Sequence, residues 1–343
     1  MTRRLPTSGE PSPQAAPAGP SGSAGPGEFD LIRRYFERPV SRAALGVGDD
    51  CALLGLAPGM QLAVSTDMLV EGRHFLSTVE PRRLGHKALA VNLSDLAACG
   101  ARPLAFTLAL SLPRADEAFV AGLAEGLFAL AQAHDIELVG GDTTAGPLNL
   151  CITVMGEVPV GLALLRSGAR PDDELWVSGR LGDARLALEV FRGRVALDGA
   201  GFACVRTAME LPQPRVSLGL ALRGVATAAI DLSDGLVGDL GHILQRSGVG
   251  AEVALDRLPH SEVLAGQPPE VRLECLLAGG DDYELLFCAP PARRAAVLQA
   301  AAQAQVPVQC IGRITAAPGL RVLDKAGCPL DLGRLQAFDH FKS

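Results

Sequence analysis

Two rhythms of apolar positions run along the chain. Phe29, Ile32, Arg33 and Phe36 recur at a spacing that predicts a short amphipathic helix. Residues 45–70 read as two strands around a Pro58-Gly59 turn. Residues 86–99 predict a helix with Leu89, Leu93, Leu96 and Ala97 on one face and Gly100 as its stop. Asp95 falls four residues after Val91 and eight after Lys87, on a flanking face. A β-like run over 104–112, an amphipathic helix over 116–134, a strand over 136–139 that enters Gly140-Gly141-Asp142, and a strand over 148–158 complete the first half. Beyond a boundary near Leu165-Arg166 come a strand over 174–178, a helix over 184–191 and a helix within 193–215. A strand over 226–230 and a helix over 235–246 closed by Gly248 follow. The last elements are a strand, a helix and a strand over 283–288, 292–303 and 308–311. This alternation predicts α/β (α+β) layering in both halves.

Composition narrows the function. The 343 residues suffice for two domains, with 48% hydrophobic against 20% charged residues. A net charge of −7 without any basic tract excludes an extended nucleic-acid footprint. Only three of the 31 basic residues are lysines, Lys87, Lys325 and Lys342, and no Gly-x-x-x-x-Gly-Lys-Ser/Thr loop occurs, which excludes a P-loop. The eight cysteines are scattered without a C-x-x-C pair and read as small apolar residues of a reducing, cytoplasmic compartment. No run of about 20 apolar residues predicts a membrane span. Residues 1–26, rich in Pro, Ala, Gly and Ser and without an apolar signal core, read as a disordered tail.

The candidate chemistry lies in aspartates placed where apolar runs stop. They stand in Gly48-Asp49-Asp50, Ser65-Thr66-Asp67, Asn92-Leu93-Ser94-Asp95, Gly140-Gly141-Asp142, Asp231-Leu232-Ser233-Asp234 and Gly280-Asp281-Asp282. Taken singly, Asp49-Asp50 reads as a polar turn and Ser65-Thr66-Asp67 as a cap. Ser94-Asp95 in an otherwise apolar helix reads equally as buried or solvated, and Asp231–Asp234 as a helix cap or as a metal and phosphate site. His74 and Arg166 stand alone. Taken together, six acidic motifs without a lysine cluster point to one site shared by several Mg²⁺ ions, and so to transfer between two phosphates. An acceptor phosphate has a second pKa of about 6, so the transfer needs no dedicated general base.

With those motifs go Gly27-Glu28-Phe29, Gly72-x-His74-Phe75, Arg166-Ser167-Gly168-Ala169 and Gly279–Phe287. In this order and spacing, from about residue 27 onward, the chain resembles the thiamine-monophosphate kinase family. The resemblance implies ATP and thiamine monophosphate as substrates, Mg²⁺ as cofactor, and thiamine diphosphate as product. By position it implies metal ligands at Asp50, Ser65, Thr66, Asp67, Asp95, Asp142, Asp231 and Asp234. It implies ATP contacts at Gly141, Asp142, Arg166 and Ser233, and substrate contacts at His74, Asp282 and Phe338, the last standing where relatives often carry Tyr or Trp. Asp49 and Asp281 are then neighbours of ligands. The implied fold is that of aminoimidazole ribonucleotide synthetase: an N-terminal α/β domain over 27–165, a C-terminal one over 166–343, and a homodimer whose N-terminal sheets pair into a barrel. Two other readings stay open: a selenophosphate or aminoimidazole ribonucleotide synthetase, and a nucleotide-binding protein without activity. Against the first, no cysteine precedes Cys51; against the last, every acidic position is filled.

Overall fold

The structure, a computed structural model, describes residues 27–333. The tail expected over residues 1–26 and the substrate contact expected at Phe338 lie outside the described residues. Helix α1 (Glu28–Leu31) continues as one π turn, Ile32–Phe36. The wider turn rotates the buried side onto Leu31 and Phe36 and leaves Phe29 exposed, unlike the face expected from the spacing.

A hairpin of β1 (Ala43–Leu45) and β2 (Leu53–Leu54) precedes β3 (Met60–Val70), which starts after the Pro58-Gly59 turn. Helix α2 (Pro81–Ala98) begins five residues earlier than its apolar pattern indicates, because Pro81 is preset for a first helical turn. Strand β4 (Arg102–Leu112), helix α3 (Glu117–Ala133), and strands β5 (Glu137–Ala145) and β6 (Asn149–Pro159) follow. Asp116 caps α3 by accepting from the Phe119 amide. The sheet order is β3-β6-β4-β5, antiparallel except for the parallel β4/β5 pair. Leu108, Leu110, Leu150, Ile152 and Val154 of this sheet are buried with Leu89, Leu93 and Leu96 of α2 and Leu123 and Leu127 of α3.

The second half contains β7 (Glu174–Ser178), α4 (Asp183–Phe191), α5 (Gly199–Glu210), α6 (Val216–Ala221), β8 (Ala228–Asp231), α7 (Leu236–Ser247) and β9 (Gly250–Ala254). Then come α8 (Glu262–Ala265), α9 (Pro269–Ala278), β10 (Leu285–Ala289), α10 (Arg294–Ala304), β11 (Val308–Thr315) and β12 (Gly319–Leu323). Its six strands are ordered β12-β9-β11-β7-β10-β8. Every residue of β7 and β10 is buried because both faces of this sheet are covered, which explains their unbroken apolar runs. Leu175, Val177 and Leu286 face the core shared with α4, α7 and α9, whereas Trp176 and Phe287 join the core of α2 and α3. Strands β9 and β12 have no clear pattern in the sequence; pairing with neighbours makes them strands. The mixed α/β expectation therefore holds in both halves. Among the described residues no helix is long and apolar enough to cross a membrane.

Helix α2 lies between the two sheets and is packed backbone to backbone. A Cβ on Gly85 would stand 2.0 Å from the Leu123 carbonyl oxygen, and one on Gly126 would stand 1.8 Å from that of Arg82. Glycine at these two crossings lets α2 and α3 touch. We predict that Gly85→Ala lowers unfolding free energy by about 1–3 kcal/mol through overpacking. Gly241→Ala in α7, where an added Cβ meets nothing within 4 Å, is predicted to raise it by about 0.5–1 kcal/mol. Urea titration of the two variants checks both signs; equal destabilisation would refute the backbone-contact account.

Candidate functional site

Beyond its first turn α2 carries few polar residues; His86 bonds the Pro212 carbonyl, and Asn92, Ser94 and Asp95 point to one place. Strand β3 alternates beside it, so Ser65 and Asp67 face the helix while Thr66 faces the opposite side. The Ser65 hydroxyl donates to Asp95 Oδ2, and the Asp67 amide donates to Asn92 Oδ1 at 3.1 Å. On the other flank the Ser94 hydroxyl donates to Asp231 Oδ2 at 2.7 Å. Asp231 is the last residue of β8, and the loop to α7 brings Ser233 and Asp234 alongside. Asp239, inside α7, accepts the amides of Asp234 at 3.0 Å and Gly235 at 3.1 Å. Asp239 thus holds the backbone at the start of α7, and Ser233 and Asp234 line the cleft.

These groups border a cavity of about 410 Å³. Ser65, Asp67, Asp95, Asp231, Ser233 and Asp234 line it together with Arg73, His74, Arg185, Asp281 and Tyr283, and Arg166 is also on its wall. The His74 ring accepts the Val70 amide on Nδ1 at 3.0 Å, so the neutral ring carries its proton on Nε2. A second cavity of about 330 Å³ shares Ser65, Asp95, Arg166 and Asp231 with the first; Ala63, Leu96, Leu164, Ala229 and Ile230 make its remaining walls apolar.

The acids repel. Burial, then Asp95 and Asp234, push Asp67 up to about 6. Burial raises Asp95 against the pull of Ser65 and Arg166. Burial and the Asp95 charge raise Asp231 as well. Burial raises Asp239 to about 7 despite its amide donors. Among the described residues, no three His, Cys, Asp or Glu side chains are arranged to hold a metal ion. The fit to Mg²⁺ is one of charge and donor type: hard oxygens that raise each other's proton affinity, without the arginine pairs that serve Glu157, Glu189 and Glu284 elsewhere.

Several expected site residues lie elsewhere. The Thr66 hydroxyl is on the far face of β3, bonded to that of Thr153 at 2.8 Å, because strand side chains alternate; its side chain does not reach the cleft. Asp142 and Gly141 lie inside β5, at the opposite edge of the sheet, beside a small cavity of about 40 Å³ that includes Val47. Gly141 has φ +152, and a Cβ there would stand 1.9 Å from the Leu108 carbonyl oxygen, so glycine at 141 serves strand pairing. Asp50 is exposed in the segment after Val47, outside both larger cavities. Asp282 is turned away from the cleft: its carboxylate accepts the Gly182 amide at 2.9 and 3.0 Å, and burial raises its pKa well above the usual carboxylate range. Asp281 lines the cavity instead. Positive φ at Asp281 (69°) and Tyr283 (49°), with amides donated to the carbonyls of Ser233 and Leu232, sets this order.

The sequence reading named Asn92, within its motif, and Lys87, by its eight-residue spacing to Asp95, without giving either a role, and it passed over Arg73, Arg185 and Asp239.

The chain matches two family models: AIR synthase related protein, N-terminal domain, over residues 48–158, and AIR synthase related protein, C-terminal domain, over residues 170–325. It is 46% identical over 320 residues to the thiamine-monophosphate kinase of Escherichia coli, spanning 92% of this chain and 98% of that relative. A crystal structure of thiamine-monophosphate kinase from Stenotrophomonas maltophilia matches with a TM-score of 0.79 at 46% identity, covering 86% of this chain and 94% of that one. The structure of AaThiL complexed with AMPPCP and TMP matches with a TM-score of 0.73 at 29% identity, covering 91% and 96%.

The raised Asp67 has a stability consequence. An unfolded aspartate titrates near 3.9, at about pH 4, so the stabilising contribution is complete below that value and is lost as pH rises through about 6. In EDTA at pH 8, Asp67→Asn is therefore expected to unfold at a higher temperature than the parent; at pH 4 the two converge. Saturating Mg²⁺ reverses the order at pH 8. Thermal melts across pH check this; a parent that stays the more stable at pH 8 without metal would refute the repulsion.

Proposed function

The chain belongs to the thiamine-monophosphate kinase family, and on that premise we propose that its cleft phosphorylates thiamine monophosphate to thiamine diphosphate by direct, in-line transfer from ATP. One observation carries this reading: Asp67 and Asp95 from the first half and Asp231 and Asp234 from the second line a single cavity, with His74, Arg73 and Arg185 also on its wall. Donor and acceptor are both anions and repel. Mg²⁺ held by Asp67, Asp95, Asp231 and Asp234 with the Ser65 hydroxyl would supply positive charge to the phosphate oxygens. Arg166, between the two cavities, reaches the donor phosphates, and the apolar cavity behind it suits a flat base. Ser233 donates at the start of α7. His74, through Nε2–H, and Asp281 face the thiamine moiety, which offers a cationic ring and an amino donor. No side chain need take a proton, since the acceptor oxygen is already ionised at neutral pH. We place the domain boundary at 165/166 and the enzyme in the cytoplasm.

We propose further that the active unit is a homodimer and that each site spans it. Strands β3 and β5 are the two edges of the first sheet, three strand spacings or roughly 14 Å apart. The cleft acids stand at the β3 edge and Asp142 on β5, too far apart to share an ion. Leu62, Val64 and Met68, on the face of β3 away from α2, are exposed at 48%, 57% and 53%, which marks an association surface. A barrel that joins β5 of one protomer to β3 of the other covers them and brings the partner's Asp142 beside Asp67.

Two measurements test these readings. Thiamine monophosphate, ATP and Mg²⁺ should yield thiamine diphosphate; ATP hydrolysis alone would refute the kinase reading. Asp67→Asn and Asp142→Asn should each be inactive. Dissociated, mixed one to one and reassociated, they should recover about a quarter of parental activity, since half the dimers then hold one intact site of two. Continued inactivity of the mixture would mean that both aspartates serve the same chain.

A further inference from the structure

Among the described residues Lys87 is the one ammonium that the fold buries, with its side chain only 4% exposed. It projects from α2 on the stripe that also presents Val91 and Asp95 to the cavity, about 12 Å from Asp95 along the helix. A buried charge is retained only with close partners. Its Nζ donates to Asp281 Oδ2 at 2.8 Å and to the His74 carbonyl oxygen at 3.3 Å. Asp281 Oδ1 accepts the Tyr283 hydroxyl at 3.1 Å. The cation therefore ties three segments together: α2, the end of the β3–α2 connection, and the loop 279–283 of the other half. That loop is otherwise hung on the 231–234 loop by the Asp281 and Tyr283 amides.

We propose that Lys87 is a positioning residue for the thiamine end of the cleft: it latches the loop 279–283 onto α2 and fixes the Asp281 carboxylate, through which it acts on substrate. Each Asp281 oxygen accepts one bond from the protein and keeps a second lone pair, and the side chain remains 36% exposed on the cavity side. Without the ammonium, the carboxylate keeps the tyrosine hydroxyl, and the two halves lose the Lys87–Asp281 ion pair. The proposal rests on the kinase reading for its substrate; the latch itself is a property of the ligand-free protein.

The experiment compares Lys87→Met, Lys87→Arg, Asp281→Asn and the Lys87→Met/Asp281→Asn pair in the full chain. In ligand-free protein, Lys87→Met should speed amide hydrogen exchange at residues 281 and 283 about tenfold or more while leaving Leu286 of β10 unchanged. In turnover, KM for thiamine monophosphate should rise about tenfold, with KM for ATP changed by less than about twofold. Lys87→Arg should restore much of the loss by keeping the charge. Added to Asp281→Asn, Lys87→Met should cost less than about a further twofold, since both act through one carboxylate. Unchanged exchange at 281 and 283, equal rises in both KM values, or multiplicative losses in the double variant would each overturn the proposal. If the parent forms no thiamine diphosphate, the kinase reading fails, and the exchange measurement alone decides the latch.

Discussion

The structure depends on a helix buried on nearly every side. Helix α2 packs on the first sheet through its leucines, on α3 through Gly85, and on α6, where a Cβ on Gly219 would stand 2.0 Å from the Ala97 carbonyl oxygen. A helix so enclosed tolerates polar side chains only where each has a partner. Asn92 bonds the Ala88 carbonyl and the Asp67 amide, Ser94 bonds Asp231, Asp95 takes the Ser65 hydroxyl, and Lys87 takes Asp281. The partners come from β3, β8 and the 279–283 loop. The requirement that α2 satisfy its own polar groups is therefore what draws segments of both halves around one cavity.

Charge accounting sets this cavity apart from the buried glutamates, which all sit on guanidinium groups: Glu157 on Arg102, Glu210 on Arg83 and Arg206, Glu284 on Arg215. Asp95 and Asp231 instead accept serine hydroxyls, Asp67 and Asp231 feel the charges of neighbouring aspartates, and Arg166 acts on Asp95 only through its charge. In the absence of a cation this raises their proton affinity and destabilises the ionised cleft. The acids are placed where positive charge must arrive from outside, which suits a site for two phosphates better than a structural polar network.

Much of this site was legible in the sequence because α2 announces itself. Its leucine spacing gives the buried face, and Asp95 on the flank is where a cleft residue would stand. Asp231–Asp234 was legible as a strand-to-helix junction. Thr66 was expected in the cleft beside Ser65 and Asp67, whereas period-two alternation puts its side chain on the opposite face of β3. The choice between Asp281 and Asp282 was not legible, because it turns on positive φ at two non-glycine residues, which neither composition nor period reveals. Nor was the distance of Asp142 from the cleft, since that follows from the strand order β3-β6-β4-β5, a tertiary fact.

Strand β3 carries two functions in one alternation. Its inward residues Ser65 and Asp67 belong to the cleft, and its outward residues Leu62, Val64 and Met68 leave an apolar edge in water. An open edge strand with apolar side chains is a liability for a lone chain. In the proposed dimer, closure against the β5 edge of a second copy would remove it and, by the same movement, would bring the partner's Asp142 to the cleft. In that arrangement a single slip of β3 by one residue would expose the acids and bury the interface, so assembly and catalysis constrain the same register.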